Sequence, residues 1–354
     1  MKTIFFSKPH NPCGLKRLKS IHLVVMMLAT VTIFSASCFF RKKPQLSMRL
    51  INSSVQKPSN VALYFSVETP QGDPVAGLSA EKFKIHEDGQ LISPYESKQT
   101  ILNPDVAVAH HVLLLLDLSG SIVESGSLNS LLDAAKKFAG RLTDKRSVGI
   151  FGFDGSKRLI PVCNFTKDPE SISSALAKLA EHKVKDPSTN LNGALVHSID
   201  KLEKQLRSTN HPLRFATLVV FTDGTDRARR VSKEKMFERM EQSSVNVFVI
   251  GLGAEVDHKQ LSKIGSAGFV KADEQENITN AFEEIAERIE ANGKKFYLLS
   301  YCSPARAGEH ELRISVKHGK LKGSVTKKFN ASGFRPGCDP SRKPSFSLKR
   351  IKLR

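Results

Sequence analysis

An unbroken apolar run, Val112 to Leu116, ends abruptly in Asp117-Leu-Ser-Gly-Ser121, and few architectures accommodate that junction. Aliphatic residues without alternation make a strand buried on both faces, the pattern of a parallel sheet covered by helices on each side. Such a strand delivers the side chains that follow it to the carboxyl edge of the sheet, where open α/β folds bind ligands. Asp117, Ser119 and Ser121 stand at alternate positions of the junction. One carboxylate and two hydroxyls are all hard oxygen donors, suited to Mg²⁺ or Mn²⁺ and poorly suited to zinc.

Two further stretches extend the pattern. Leu218-Val-Val-Phe-Thr-Asp223-Gly224 repeats it: a buried strand, a carboxylate, then a glycine that permits a sharp turn. Between the two strands, Ser188-Thr189-Asn190 precedes apolar residues at Leu191, Leu195, Ile199 and Leu202, a helical period. Thr189 at such a start either caps the helix or offers its oxygen to a metal. Asp154 and Asp226 also fall near strand ends and read as solvated loop carboxylates.

The segments around these stretches alternate between strand and helix. Residues 128–142, 171–180 and 278–289 have helical periodicity, while 147–153, 158–162 and 245–250 read as strands, with 268–270 as a short edge strand. That alternation predicts a doubly wound, mostly parallel sheet with helices on both faces.

The DxSxS junction, a Thr before a helix, and the Asp of Phe-Thr-Asp-Gly together resemble the von Willebrand factor A domain and its metal ion-dependent adhesion site. The resemblance covers roughly His110 to Asn292. It implies that Ser119, Ser121 and Thr189 bind Mg²⁺ or Mn²⁺ directly, and that Asp117 and Asp223 act through water or at closer range. It also implies an open coordination position filled by a carboxylate of a protein partner.

The amino terminus reads as a targeting segment. Lys16, Arg17 and Lys19 precede an apolar stretch, Ile21 to Phe34, short for a membrane span, and Ser35-Ala-Ser-Cys38 follows. Residues 1–37 are thus read as a signal peptide. Cys38 after small residues resembles the lipobox of bacterial lipoproteins, although Ser35 stands where Leu is usual. Acylation of Cys38, simple cleavage and an uncleaved anchor all place the folded part outside the cytoplasm, with a lipid-anchored protein of a bacterial envelope as the main expectation. In an oxidising compartment Cys302 and Cys338 are natural disulfide partners, and Cys163 is expected to be a buried free thiol.

Net charge is +19, and it stays at +14 without the first 37 residues, whose five charged side chains are all Lys or Arg. Arg227, Arg229, Arg230, Lys233 and Lys235 follow Asp223 closely, and residues 335–354 read as a flexible basic tail. A positive surface favours anionic partners, an acidic protein or an anionic envelope surface. The compartment argues against nucleic acid.

Two β-rich segments flank the central one. Residues 45–108 hold an alternating strand, Val61 to Val67, and a hairpin turning at Glu87-Asp-Gly89. With Gly72, Pro74, Val75, Gly77, Leu78 and Phe83, that segment resembles a small β module that precedes the A domain in a group of bacterial exported proteins. Residues 293–334 offer three more strands. Either group alone is marginal, so the two are expected to combine into one sandwich with the central domain, 109–292, inserted between them.

Enzymatic readings find little support. A dehalogenase-type Mg²⁺ phosphatase needs a second acid where Ser119 stands. A dinucleotide site needs a third glycine where Val256 stands, and no P-loop or GxSxG elbow occurs. Metal-dependent protein binding is therefore expected, with no small-molecule substrate. A structural envelope component in which the metal is incidental is the alternative.

Overall fold

The computed structural model describes residues 44–104, 108–181, 183–253 and 257–346. The signal segment with Cys38 and the last eight residues of the basic tail lie outside the described residues. The chain first forms β1 (Ser47–Gln56), β2 (Asn60–Glu68), β3 (Phe83–Glu87), β4 (Gln90–Leu91), a one-turn helix α1 (Pro94–Ser97) and β5 (Thr100–Leu102). Then come β6 (Val108–Asp117), α2 (Gly120–Glu124), α3 (Ser127–Leu142), β7 (Ser147–Phe153), β8 (Ile160–Thr166) and α4 (Pro169–Leu179). The central segment continues with α5 (Leu191–Ser208), β9 (Leu213–Thr222), α6 (Lys233–Glu241), β10 (Asn246–Leu252), α7 (His258–Ile264), β11 (Gly268–Ala272) and α8 (Ile278–Lys294). Three last strands follow: β12 (Phe296–Cys302), β13 (Glu309–His318) and β14 (Leu321–Asn330).

The central sheet has the order β11-β10-β9-β6-β7-β8, parallel except for the edge strand β8. β6 is its spine. Val112, Leu114 and Leu116 pack into one core with α3, α4 and α8, while Leu113 and Leu115 pack into another with α5, α6 and α7. Burial on both faces is why the sequence shows a continuous apolar run instead of alternation. Local chemistry sets the helix starts: Asp168 accepts from the amides of Glu170 and Ser171 at 3.2 and 3.1 Å, and Pro169 occupies the first turn of α4.

The flanking strands form a two-sheet sandwich, as expected. One sheet runs β1-β2-β12-β5 and the other β14-β13-β3-β4, so each draws on both ends of the chain. Between them lie Val61, Leu63, Phe65, Phe83, Ile85, Tyr297, Leu299, Leu312 and Ile314. The outer face of the first sheet is covered too. Ala62, Tyr64 and Leu298 pack with Leu213 and Phe215, at the amino-terminal end of β9, and with Phe346. The sandwich therefore sits under the base of the central sheet, at the end opposite the carboxyl edge.

That stacking corrects one expectation. Val61 to Val67 is buried almost continuously, because β2 meets the second sheet on one face and the central domain on the other. The carboxy-terminal segment is a second correction. As far as Phe346 it is packed rather than flexible: Arg335 N donates to Pro58 O at 2.9 Å, Ser345 N to Ser54 Oγ at 3.1 Å, and Phe346 is 7% exposed. Cys302 and Cys338 are bonded, with Cα atoms 5.8 Å apart. Cys163 is free but half-buried, since it lies on the edge strand β8 and not in the interior. Among the described residues no helix is long and apolar enough to cross a membrane.

Candidate metal centre

Strand order reverses between β6 and β9, which are adjacent although β7 and β8 separate them in the chain. The loops leaving such a pair diverge to opposite faces of the sheet and open a crevice at its carboxyl edge. Asp117 ends β6 and Thr222 ends β9, so Asp117, Ser119 and Ser121 stand on one side of that crevice and Asp223 on the other. Thr189 stands just before α5, on the loop that comes up from β8 and α4.

The first loop turns on its own carboxylate. Ser119 N donates to Asp117 Oδ1 at 3.0 Å, and the Oγ atoms of Ser119 and Ser121 lie 3.3 Å apart. Ser119 occupies the position before α2, yet its side chain makes no capping bond. Asp117 and Ser119 are fully buried, whereas Ser121 is exposed.

On the second loop the helix cap falls to Asn190, whose Oδ1 accepts from Gly193 N at 3.2 Å. Thr189 is therefore released from capping. Its backbone oxygen accepts from Arg227 N at 2.8 Å and Ala228 N at 2.9 Å, which ties the second loop to the third. The first and second loops join where Gly120 N donates to Pro187 O at 3.0 Å; a Cβ on Gly120 would lie 3.0 Å from Pro187 Cβ, so the approach favours glycine. The third loop meets the first through Thr222, whose Oγ1 donates to Asp117 Oδ2 at 2.6 Å. All three pairs of loops are thus fastened to one another.

Two residues read as solvated have other roles. Asp154 is 1% exposed and accepts from Ser156 N at 2.7 Å and Asp186 N at 3.3 Å, so it shapes the loop that carries Thr189. Asp226, half-buried, accepts from Asn192 N at 3.0 Å and Arg229 N at 3.0 Å, steadying the start of α5 against the third loop. Arg230 is engaged by Asp186 at 3.0 Å, while Arg227 and Arg229 stay exposed with no ion pair among the described residues.

The donor set fits a hard divalent cation. Burial pushes the Asp117 carboxyl up to about 7; the Thr222 hydroxyl pulls the other way and the nearby Asp223 adds to the rise. A buried carboxylate without a cationic side chain is what a bound cation would compensate. Among the described residues no three His, Cys, Asp or Glu side chains converge to hold a metal. Hydroxyls of Ser119, Ser121 and Thr189 with carboxylates of Asp117 and Asp223 give an all-oxygen set, as Mg²⁺ and Mn²⁺ prefer.

Residues 111–288, half of the chain, match the von Willebrand factor type A domain. The chain belongs to that family. Among solved structures, a von Willebrand factor type A protein from Catenulispora acidiphila is similar at 10% identity and a TM-score of 0.44, over 84% of this chain and 76% of that one. The manganese-loaded TRAP protein of Plasmodium vivax is similar at 16% identity and a TM-score of 0.43, over 68% and 98%. A mussel byssus protein, proximal thread matrix protein 1, with a zinc-occupied MIDAS motif, is similar at 16% identity and a TM-score of 0.43, over 51% and 48%. No curated protein matches the chain in sequence.

Within this type A domain, sequence reasoning passed over Thr222. The signal was present, since a Thr directly before Asp223 on a buried strand points its hydroxyl to the same edge as Asp117 on the neighbouring strand.

Proposed function

We propose that the type A domain holds Mg²⁺ or Mn²⁺ at this edge and binds a carboxylate of a protein partner there, on an exported protein tethered by lipid at Cys38. The observation that carries the reading is the mutual fastening of the three loops around the fully buried Asp117. Ser119, Ser121 and Thr189 would hold the ion directly, and Asp117 and Asp223 directly or through water. A bound divalent cation supplies a Lewis-acidic position to which an anionic oxygen from outside can add. Type A domains are in general interaction modules rather than enzymes. Arg227 and Arg229, exposed beside the third loop, favour the approach of an acidic surface.

Export and anchoring rest on the basic start, the apolar stretch Ile21 to Phe34 and the small residues before Cys38. A Cys302–Cys338 bond suits that compartment.

Calorimetric titration of Mg²⁺ and Mn²⁺ into the protein tests the metal. Binding is expected for the parent and lost in Asp117→Ala, and metal at about 100 times its Kd stabilises the fold by about 2.7 kcal/mol. A parent that binds neither ion, or a variant that binds equally well, overturns the reading. Incorporation of labelled palmitate in cells, abolished by Cys38→Ser, tests the anchor.

A further inference from the structure

The outer face of the second sandwich sheet is basic at one end, with its acids Glu309 and Glu311 at the other end of β13. Pairing of Ser315 with Lys84 and with Ser324, and of Lys317 with Lys322, aligns these side chains on the side away from the core residues Phe83, Ile85, Ile314 and Val316. Lys82 and Arg313 extend the same face. Together these residues line a shallow concavity of about 490 Å³ that no carboxylate lines. All five cations are exposed, and none makes an ion pair among the described residues. Within the concavity like charges gather without a lining acid, which raises the field there and favours an anionic surface.

Two relationships identify the occupant. The chain enters the fold beside this face: Gln45 lines the concavity and Leu46 N donates to Lys322 O at 3.0 Å. Only six residues, Phe39 to Pro44, separate Gln45 from Cys38, and Arg41, Lys42 and Lys43 are among them. Seven residue steps reach at most about 25 Å when fully extended. A lipid on Cys38 therefore keeps the basic face within that distance of the bilayer. The layers also run in order: metal edge, central sheet, first sandwich sheet, second sandwich sheet, basic face. The face thus lies on the side of the sandwich away from the central sheet and its metal edge.

We infer that this face, built on Lys82, Lys84, Arg313, Lys317 and Lys322, docks on the anionic phospholipid headgroups of the membrane that holds the lipid anchor. It takes its orientation from the lipid-anchored reading above. One acyl chain alone binds membranes marginally, and a polybasic patch supplies the second attachment that stable anchoring needs. Docked in this way, the molecule presents the edge carrying Asp117, Ser119 and Asp223 away from the bilayer, toward a partner.

The test uses the residues from Gln45 onward, which form one compact unit and carry no lipid site. Co-sedimentation with vesicles of phosphatidylcholine containing about one third phosphatidylglycerol measures the headgroup contribution alone. Binding is expected there and not to pure phosphatidylcholine. Lys84→Gln with Lys317→Gln should weaken it at least about tenfold, while Lys136→Gln with Lys137→Gln, on α3, should leave it unchanged. The inference is overturned if the parent does not bind the anionic vesicles or binds both compositions equally. It is also overturned if the Lys84/Lys317 variant matches the parent, or if inorganic phosphate at matched ionic strength displaces the protein. EDTA should have no effect on this binding, so a failed metal titration and a failed docking surface are distinguishable.

Discussion

Thr222 Oγ1 donates to Asp117 Oδ2 across 2.6 Å, joining the ends of β9 and β6 through two fully buried side chains. The bond fixes which Asp117 oxygen is occupied, because Oδ1 already accepts from Ser119 N. Thr222 is therefore a positioning residue for the central carboxylate. Thr222→Val keeps the shape and removes the donor, leaving a buried carboxylate oxygen unsatisfied. Loss of about 1–3 kcal/mol of stability in metal-free buffer is expected by urea unfolding. Mg²⁺ affinity measured by titration calorimetry should fall by about 10- to 100-fold, the usual effect of losing a hydrogen bond behind a metal ligand. Thr222→Ser should restore most of both.

Gly120 is the contact between the first and second loops. Its amide bonds to Pro187 O at 3.0 Å, and a Cβ would lie 3.0 Å from Pro187 Cβ. Gly120→Val should push the Thr189 loop outward without disturbing the cores, which lie below. The expected outcome is a thermal midpoint within a few degrees of the parent when metal is absent, with little further rise on adding Mg²⁺. A variant that gains the parent's full metal-induced shift would show that the separation of these loops is immaterial.

The central domain was legible because its strands are buried on both faces, so Val112 to Leu116 and Leu218 to Phe221 could be read without knowing their neighbours. The metal edge was legible for a related reason: its side chains follow directly on those strands. What escaped depends on contacts between distant segments. β1 and β5 are half-exposed strands at sheet edges and carry little hydrophobic signal. Asp154 looks like any loop carboxylate until Ser156 and Asp186 fold over it. The packed carboxy-terminal segment hides among basic residues, because what holds it is a single aromatic, Phe346, the bond to Cys302 and hydrogen bonds to distant β1 and the turn after it, none of which leaves a periodic signal.

That bond carries its own prediction. Cys302 ends β12, and Cys338 lies 36 positions later in the segment that leads to Phe346. Closing a loop of that length stabilises the fold by about 3 to 4 kcal/mol in the chain-entropy account. Cys338→Ser, or reduction, should lower the thermal midpoint by several degrees and should also loosen Phe346 from Tyr64 and Phe215. Limited trypsin digestion is expected to cut after Arg342 in the reduced protein well before the oxidised one. Equal cleavage of both would mean that packing alone retains the segment.

Acid should destabilise the protein through two histidines at the base of β6. His110 is engaged on both ring nitrogens: Arg146 Nε donates to Nδ1 at 3.2 Å, and Nε2 lies 2.9 Å from Thr217 Oγ1, an arrangement made for the neutral ring. Burial, with Arg146 beside it, lowers its pKa to about 3, and burial lowers that of His111 to about 4. The unfolded chain takes up these protons near pH 6.5, whereas the folded chain refuses them until pH 4 for one and pH 3 for the other. Stability is therefore complete above the unfolded value and is lost as pH falls through that window, by at most about 1.4 kcal/mol per pH unit for each ring. Asp117 and His310, whose values are raised, act with the opposite sign, so the parent's curve alone is a composite. The difference between the parent and a His110→Gln, His111→Leu double variant isolates the histidines. Urea unfolding at pH 7 and pH 5 should show the parent losing stability relative to the variant as pH falls, since neither replacement titrates there. A difference that stays constant between the two pH values would mean that these rings accept protons in the folded state, and that the base of β6 is open to water.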